Sequence, residues 1–474
     1  MEAEGRVPFR AWVAVIGGLF GCFMAGMNVH VTSAALPEIE GALGATFEEG
    51  SWISTAYLVA EIIMIPLTAW LVQVFSLRRV VQGAAGAVLI PLSFQLIITE
   101  LPASKIPLGM ALFSLANSVA QAAGPSIGGW LTDAYSWRWI FYLQLFPGIA
   151  LLAAVAWSID RQPMKLGLLR QGDWLGIGCM VLGLGALQIV LEEGGRKDWF
   201  GSPFIVWMTL LAVVGLIGFV ARQLWGKHAF INLRLLGHYN FGVASVAMFI
   251  FGASTYGLVF LVPNYLSQLQ HYNASEIGVS LIAYGLVQLI MAPFLPRLMK
   301  WVSAKMLVAS GFAIMALGCW MGAHLSADSA SNVIVPSIVV RGMGQPLIMV
   351  ALSVLAVHGL AKAQAGSASA VFSMLRNLGG AVGTALLAQL VVVRERVHSA
   401  RIGESVTLFD SALQQQLPGD GVLQEQLPEH QVVLSLLDQS VRHQAFLMAY
   451  SDAFFLACVA LAACAVAALM LRRI

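Results

Sequence analysis

Long apolar runs, separated by brief polar joints, follow one another along almost the entire chain. A helix that crosses a bilayer needs about 20 predominantly apolar residues to span a hydrocarbon core about 30 Å thick. By that measure the pattern predicts helices near 11–36, 52–75, 82–98, 107–131, 139–158, 174–191 and 203–225. Others are predicted near 240–268, 276–298, 304–325, 332–358, 366–393 and 446–471. The period-two alternation of a membrane barrel is missing, so the predicted fold class is all-α, a polytopic membrane helical bundle. Segment 82–98 is unlike the rest: it contains Pro91 and Gln95 and reaches only about 26 Å as a helix. Little more than Arg78 and Arg79 separates it from 52–75, with no Gly or Pro turn between them. The one long polar stretch is 394–445, within which Val432, Val433, Leu436, Leu437 and Val441 predict a surface helix over 429–445. The joint 159–172, with Arg161, Lys165 and Arg170, reads as a linker between helix groups.

Composition narrows the class further. Apolar residues make up 59% of the 474 and charged residues 11%, against about 45–50% and about 25% in ordinary soluble domains. Too little polar surface remains to coat the chain in water, which excludes a soluble enzyme, and disorder and coiled coil go with it. A net charge of +2 is too small to imply a nucleic-acid partner. Cys22, Cys179, Cys319, Cys458 and Cys464 all lie in apolar runs without zinc-type pairing or a disulfide framework, so they read as small core hydrophobes. No P-loop or paired-histidine metal motif is present, and no Gly-x-Ser-x-Gly occurs in the strand–helix setting of a nucleophile elbow. No enzyme activity, metal or cofactor is therefore expected. Arg6 and Arg10 precede the first apolar run without a convincing cleavage site, so that run reads as a retained helix.

Four short patterns stand out. Gly124-Pro125-Ser126-Ile127-Gly128-Gly129 places small residues and a bend late in one predicted helix, where a neighbouring helix can approach closely. Arg376-Asn377-Leu378-Gly379-Gly380, followed by Gly383, gives a similarly smooth face in the second half. Arg79-Val80-Val81-Gln82-Gly83 and Arg341-Gly342-Met343-Gly344-Gln345 each set an arginine beside glycines. An arginine at the bilayer centre costs roughly 2.5–3.5 kcal/mol on insertion scales, so it normally faces an interior partner or a cavity. Arg341 and Arg79 are thus candidate buried charges, Arg79 having an equally good reading as a cytoplasmic anchor beside Arg78.

Gly124-Pro125-x-x-Gly128-Gly129 followed by Ser136-Trp137-Arg138-Trp139-Ile140-Phe141 resembles the fourteen-helix drug:proton antiporters of the major facilitator superfamily, the Emr/Qac-type multidrug exporters. Ala34-Ala35-Leu36-Pro37, Trp52 through Tyr57, Arg79-x-x-Gln82-Gly83, Asp173-Trp174 and the Arg376–Gly380 run are similar to the same family, so the resemblance covers essentially the whole chain. It implies two six-helix bundles joined by an extra helix pair, a gating motif at Gly124, Pro125, Gly128 and Gly129, and residence in a bacterial inner membrane. It further implies amphipathic small-molecule substrates, protons as the coupled ion, contact with membrane lipid, and in some members a periplasmic adaptor and an outer-membrane channel. On that basis 1–158 is the N-terminal bundle, 159–227 the linker and extra pair, and 228–474 the C-terminal bundle, with 394–445 as a polar outer loop and candidate adaptor contact. The chain departs from the family at three places. Asn28 stands where the family has an acid, Gln73 and Ser76 replace an acid and a glycine, and the motifs that normally flank a third helix share Arg79, so one helix of the N-terminal half is missing.

Proton antiport needs a membrane-embedded group whose protonation alternates, and burial makes that feasible for a carboxyl near neutral pH. Glu61 is the one carboxylate deep inside an apolar run. Asp133, Asp173, Glu192, Glu193 and Asp452 lie at segment ends, where interface anchoring or capping accounts for them. His30, inside the first run, is the second coupling candidate. Asn28, Asn117, Gln121 and Arg376 are candidate lining residues of a substrate path. Two functional readings follow: a secondary-active exporter of hydrophobic or amphipathic molecules, or a transport-incompetent membrane protein left by loss of one helix. Charge also bears on topology. If 79–98 does not cross, 18 of the 26 Lys and Arg fall inside and 7 outside, whereas a crossing 79–98 gives 11 inside and 14 outside. The positive-inside rule thus favours a non-crossing segment and a cytoplasmic position for both ends of the chain.

Overall fold

With no water to bond its amides, a chain in hydrocarbon closes its hydrogen bonds within helices, and each predicted apolar run is helical over most of its described residues. The structure is a computed structural model describing residues 8–470 apart from 45–46, 84–85, 103, 161–162, 171, 227–229, 273, 292–293, 326–330, 358–363 and 406–426. The first half comprises α1 (Phe9–Leu43), α2 (Phe47–Phe75), α3 (Leu77–Gly83), α4 (Gly86–Glu100), α5 (Ile106–Ala134) and α6 (Trp139–Ser158). A single turn, α7 (Gly167–Arg170), leads to the antiparallel pair α8 (Trp174–Glu193) and α9 (Pro203–Trp225). The second half comprises α10 (Tyr239–Gln268), α11 (Ala274–Met291), α12 (Leu295–Trp301), α13 (Ala304–Gly322), α14 (Ser331–Val357), α15 (Ala365–Ser405) and α16 (Leu427–Ala468). Among the described residues, ten helices are long and apolar enough to cross a bilayer. Large apolar side chains such as Phe146, Trp207 and Val214 point outward, where lipid rather than water meets them.

Several predicted boundaries shift: α1 runs on to Leu43, and α15 runs on to Ser405, so that 394–405 of the expected outer loop is helical. The expected surface helix over 429–445 is not a separate element: it runs unbroken into the last span as α16, because no Gly or Pro interrupts 429–468. The described part of the 276–298 run falls into α11, which ends at Met291, and α12, which starts at Leu295.

Contacts between ends fix the faces of the bundle. Arg10 donates to the Trp157 carbonyl at 3.3 Å and pairs with Asp160 at 3.7 Å, so the start of α1 and the end of α6 share a face, called basal below. Tyr239 donates to the Met470 carbonyl at 3.0 Å and Lys305 to that of Leu469 at 2.9 Å, which groups the ends of α10, α13 and α16. Gly366 of α15 lies against Gln95 of α4 and brings the basal ends of the two halves together. The halves meet chiefly through α5 with α11 and α14, and through α15 with α2 and α4.

The α3–α4 segment enters and returns by the basal face. Arg78 at the start of α3 donates to the carbonyl of Ile159 at 3.0 Å. Antiparallel to α1, α4 sets Leu89 opposite Gly21 but Ser93 and Leu96 opposite Gly18, and the Ser93 hydroxyl donates to the Gly18 carbonyl. Its last residue, Glu100, comes within electrostatic reach of Asp160. The 7 residues of α3 and the 15 of α4 reach about 10 and 22 Å respectively, so the pair forms a re-entrant hairpin rather than two crossings. This is the arrangement that the distribution of Lys and Arg favours. Its entry turn falls on Ser76, which takes φ +75°, a left-handed conformation that costs a side-chain-bearing residue roughly 1–2 kcal/mol.

Two close backbone approaches position the remaining helices. A Cβ on Gly183 of α8 would lie 2.7 Å from the carbonyl carbon of Gly215 on α9, so the pair packs as bare backbone on backbone. A Cβ on Gly383 of α15 would collide with the backbone of Ala253 on α10, which is the smooth face expected of the Arg376–Gly380 region. The α8–α9 pair is closed on itself at one end and tied to the bundle at the other. Asp173 caps α8, accepting from the Gly176 amide at 3.0 Å and from Arg222 at 2.7 Å. At the distal end Glu193 accepts from Thr55 of α2 at 3.2 Å, and the Trp199 indole donates to Gln389 of α15 at 2.9 Å.

Candidate functional site

Between the halves lies a cavity of about 630 Å3, a size typical of small-molecule sites. Its wall is mostly apolar, with Leu58, Ile62, Ile90, Val259, Phe260 and Leu281 among its residues. Polar groups interrupt it at Glu61, Asn117, Gln188, Glu192, Asn264 and Asn377. Asn264 and Ser267 belong to the last turns of α10 and Glu192 to the last turn of α8, so the cavity occupies the distal half of the molecule. On the basal side the halves are sealed by aromatic contacts, Phe94 of α4 lying 5.9 Å from Phe372 of α15 and 6.1 Å from Phe113 of α5.

Glu61 sits where the halves meet. Its carboxylate, 8% exposed, accepts a 3.0 Å hydrogen bond from the amide of Asn377 across the interface. Asn377 in turn accepts from Nε of Arg376 at 3.4 Å. The amide therefore bridges a buried guanidinium and a buried carboxylate that belong to different halves. Arg376 leans over the ring of Phe113 at 6.0 Å, and its Nη2 finds no partner among the described residues. It borders a small adjoining space with Asn117 and Tyr256 rather than the main cavity wall. Asn28 lies beside Tyr57, one helical turn before Glu61. The position that holds an acid in the resembled family thus faces, through a tyrosine, the carboxylate that this chain carries on α2.

The other expected residues divide. Asn117 is on the cavity wall, and Gly129 of the glycine motif forms part of it while Gly124 and Gly128 are buried in the continuous α5. The side chains of His30, Gln121 and Pro125 lie outside the described residues. Arg341 is a buried charge, 4% exposed. Its Nε donates to the Ser337 carbonyl at 3.3 Å, and its guanidinium sits 5.7 Å from the Phe454 ring centre. Arg79 is not one: it is exposed on α3, because the basal entry of the hairpin leaves it at the end of the bundle rather than inside it. Glu192, read above as an anchor, faces the cavity and accepts from Gln188 at 3.1 Å. Its helix end is turned inward by the docking of α8 on α2, which no local pattern reveals. A second interface group, Ser114, Gln288, Gln345 and Tyr284, joins α5, α11 and α14. Gln288 donates to Gln345 at 3.4 Å, Tyr284 also donates to Gln345, and Ser114 reaches Gln288 at 3.5 Å. Isolated polar residues on three separate helices gave no signal of this.

Two helical halves around a central, mostly apolar cavity, joined by a carboxylate–amide–guanidinium chain, have the architecture of a membrane transporter. The Major Facilitator Superfamily model matches residues 74–384, and the chain belongs to that superfamily. It is 29% identical to "Colistin resistance protein EmrB" of Acinetobacter baumannii over 95% of this chain and 94% of that protein. To "Multidrug export protein EmrB" of Haemophilus influenzae it is 28% identical, over 92% of this chain and 90% of that protein. Among solved structures the human organic anion transporter MFSD10 superposes with a TM-score of 0.55 at 13% identity, over 95% of this chain and 99% of that one. At such identity the last comparison speaks for the fold alone.

Proposed function

We propose that the protein exports hydrophobic or amphipathic small molecules across the bacterial inner membrane by proton antiport, with Glu61 as the coupling group. The observation that carries this reading is the bond between Glu61 and Asn377, a carboxylate on the cavity wall held by the opposite half. As an anion Glu61 accepts from the Asn377 amide and balances Arg376 beyond it. Once protonated it no longer balances that charge, and its new O–H needs an acceptor that the Asn377 N–H2 cannot supply. The two states of one proton therefore hold α2 to α15 with different strength, which is what an alternating-access cycle requires. The multidrug export relatives support the export direction, and the apolar wall suits greasy substrates. By the same resemblance, 394–445 is the candidate contact for a periplasmic adaptor feeding an outer-membrane channel, and the basal face is cytoplasmic.

Export of a fluorescent dye from a susceptible strain, with and without a protonophore, tests the reading. Energised export by the wild type that the protonophore stops, and that Glu61→Gln lacks at equal expression, is the expected result. Export untouched by Glu61→Gln removes that residue from the mechanism. No export by the wild type would favour the transport-incompetent alternative.

A further inference from the structure

The α8–α9 pair stands apart from the two helical halves, yet one of its side chains reaches the central cavity. Glu192 lies on the cavity wall, and Gln188, one turn earlier and itself buried, donates to its Oε1 at 3.1 Å. That bond fixes the carboxylate in place without neutralising it. The two cations that follow this end of α8 are engaged elsewhere, Arg196 pairing with Glu193 at 3.4 Å and Lys197 lying 5.8 Å from the ring centre of Phe204. Glu193, whose charge Arg196 offsets, stands beside Glu192. Among the described residues no cation stands within ion-pair distance of Glu192, and the cavity wall includes no Lys, Arg or His. The other wall carboxylate, Glu61, already has Arg376 behind its amide bridge. The two acids are therefore unlike: one is balanced by the protein, while the other, at the distal edge of an apolar chamber, has no counter-charge among the described residues.

We infer that Glu192 is a specificity-determining residue, through which the extra helix pair receives the positively charged head of an amphipathic substrate while the apolar wall takes its body. A cation arriving there supplies the missing counter-charge, and in a low-dielectric chamber that match discriminates strongly by sign. The assignment rests on the export reading, because it takes the cavity as the substrate site. Glu61 is left free to handle the proton.

The test uses three probes of one shape: tetraphenylphosphonium, a permanent cation; tetraphenylborate, its anionic counterpart; and the neutral triphenylphosphine oxide. Binding is measured by tryptophan quenching on the purified full-length protein in detergent. The wild type is expected to bind tetraphenylphosphonium most tightly. Glu192→Gln should weaken that binding by about tenfold or more, the order of one charge-assisted contact, and leave triphenylphosphine oxide unchanged. Glu192→Lys, checked for monodispersity, should reverse the order so that tetraphenylborate binds better than tetraphenylphosphonium. Equal losses for cation and neutral probe, an unaltered cation affinity in Glu192→Gln, or no probe binding by the wild type would each overturn the assignment. No gradient is involved, so the two proposals fail separately. Charge-selective binding without energised export would sink the antiport reading alone, and energised export with charge-blind binding would sink only this one.

Discussion

Exchanging Glu61 for Gln keeps the shape of the side chain and its ability to accept from Asn377, but removes the charge that faces Arg376. The consequence can be sized. With one amide between them, through contacts of 3.0 and 3.4 Å, the two charges lie on the order of 7 Å apart, worth about 2 kcal/mol at an effective dielectric near 20. Arg376 is 4% exposed, so water does little to replace the lost partner. Glu61→Gln and Arg376→Gln should each lower thermal stability, by roughly 2–4 °C for each kcal/mol lost. The double variant, with neither charge left to compensate, should be more stable than the sum of the two losses implies. A double-mutant cycle on the purified protein, followed by tryptophan fluorescence during heating, measures the difference. Coupling of about 2 kcal/mol is expected. Losses that add to within about 0.5 kcal/mol would show that the amide bridge carries no electrostatic link between the halves.

Four further outcomes are expected. Arg341→Ala should impair transport or folding, because a cavity and orphaned carbonyls replace a packed guanidinium, whereas Arg396→Ala on the exposed face of α15 should do neither; wild-type behaviour of both in the dye assay would reduce Arg341 to a snorkelling charge. Gly383→Ala should abolish assembly by forcing α15 away from Ala253, while Gly403→Ala, where a Cβ meets nothing within 4 Å, should leave fluorescence-detected size exclusion unchanged or improve it. Ser76→Gly should raise stability by about 1 kcal/mol if the left-handed turn is strained, and a lowered melting temperature would place the strain elsewhere. A cysteine replacing Glu404 should label from outside intact cells and one replacing Ser104 should not; the opposite pattern would mean that the α3–α4 segment crosses.

Much of the fold could be read from hydropathy because hydrocarbon imposes a single solution on the backbone, and run length then sets each helix. Glu61 was equally visible, as a carboxylate where none should be without a reason. What locates it functionally was not. Its partner Asn377 is 316 positions away and belongs to a motif whose glycines attract attention for packing. Glu192 was misread for a related reason: acids at helix ends usually face the interface, and only the docking of α8 through Glu193 and Thr55 turns its neighbour inward. Arg79 had two equal readings, and its exposed side chain on α3 fits the anchor beside Arg78 rather than the buried charge. Sequence carries the chemistry of single residues well, and poorly the rotation of one helix against another.

The loss of a crossing leaves the bundle intact because two separate requirements are met by one hairpin. Parity is the first. With α3–α4 returning to the face it entered, the following helices keep the orientation that their flanking charges demand, and α10 to α16 meet the first half basal face to basal face, as Gly366 against Gln95 requires. Contact is the second. α4 keeps its antiparallel seat on α1 through Ser93 and Gly18, and it keeps Phe94 against Phe372 at the basal seal. Ile90 still closes the floor of the cavity. A segment that crossed fully would gain hydrophobic length but invert every later helix, at a cost spread over fourteen outward cations. A segment expelled to the surface would satisfy parity but unseal the cavity. The hairpin satisfies both, and its local penalties are confined to Ser76 at the entry and to the backbone carbonyl freed by Pro91 within α4.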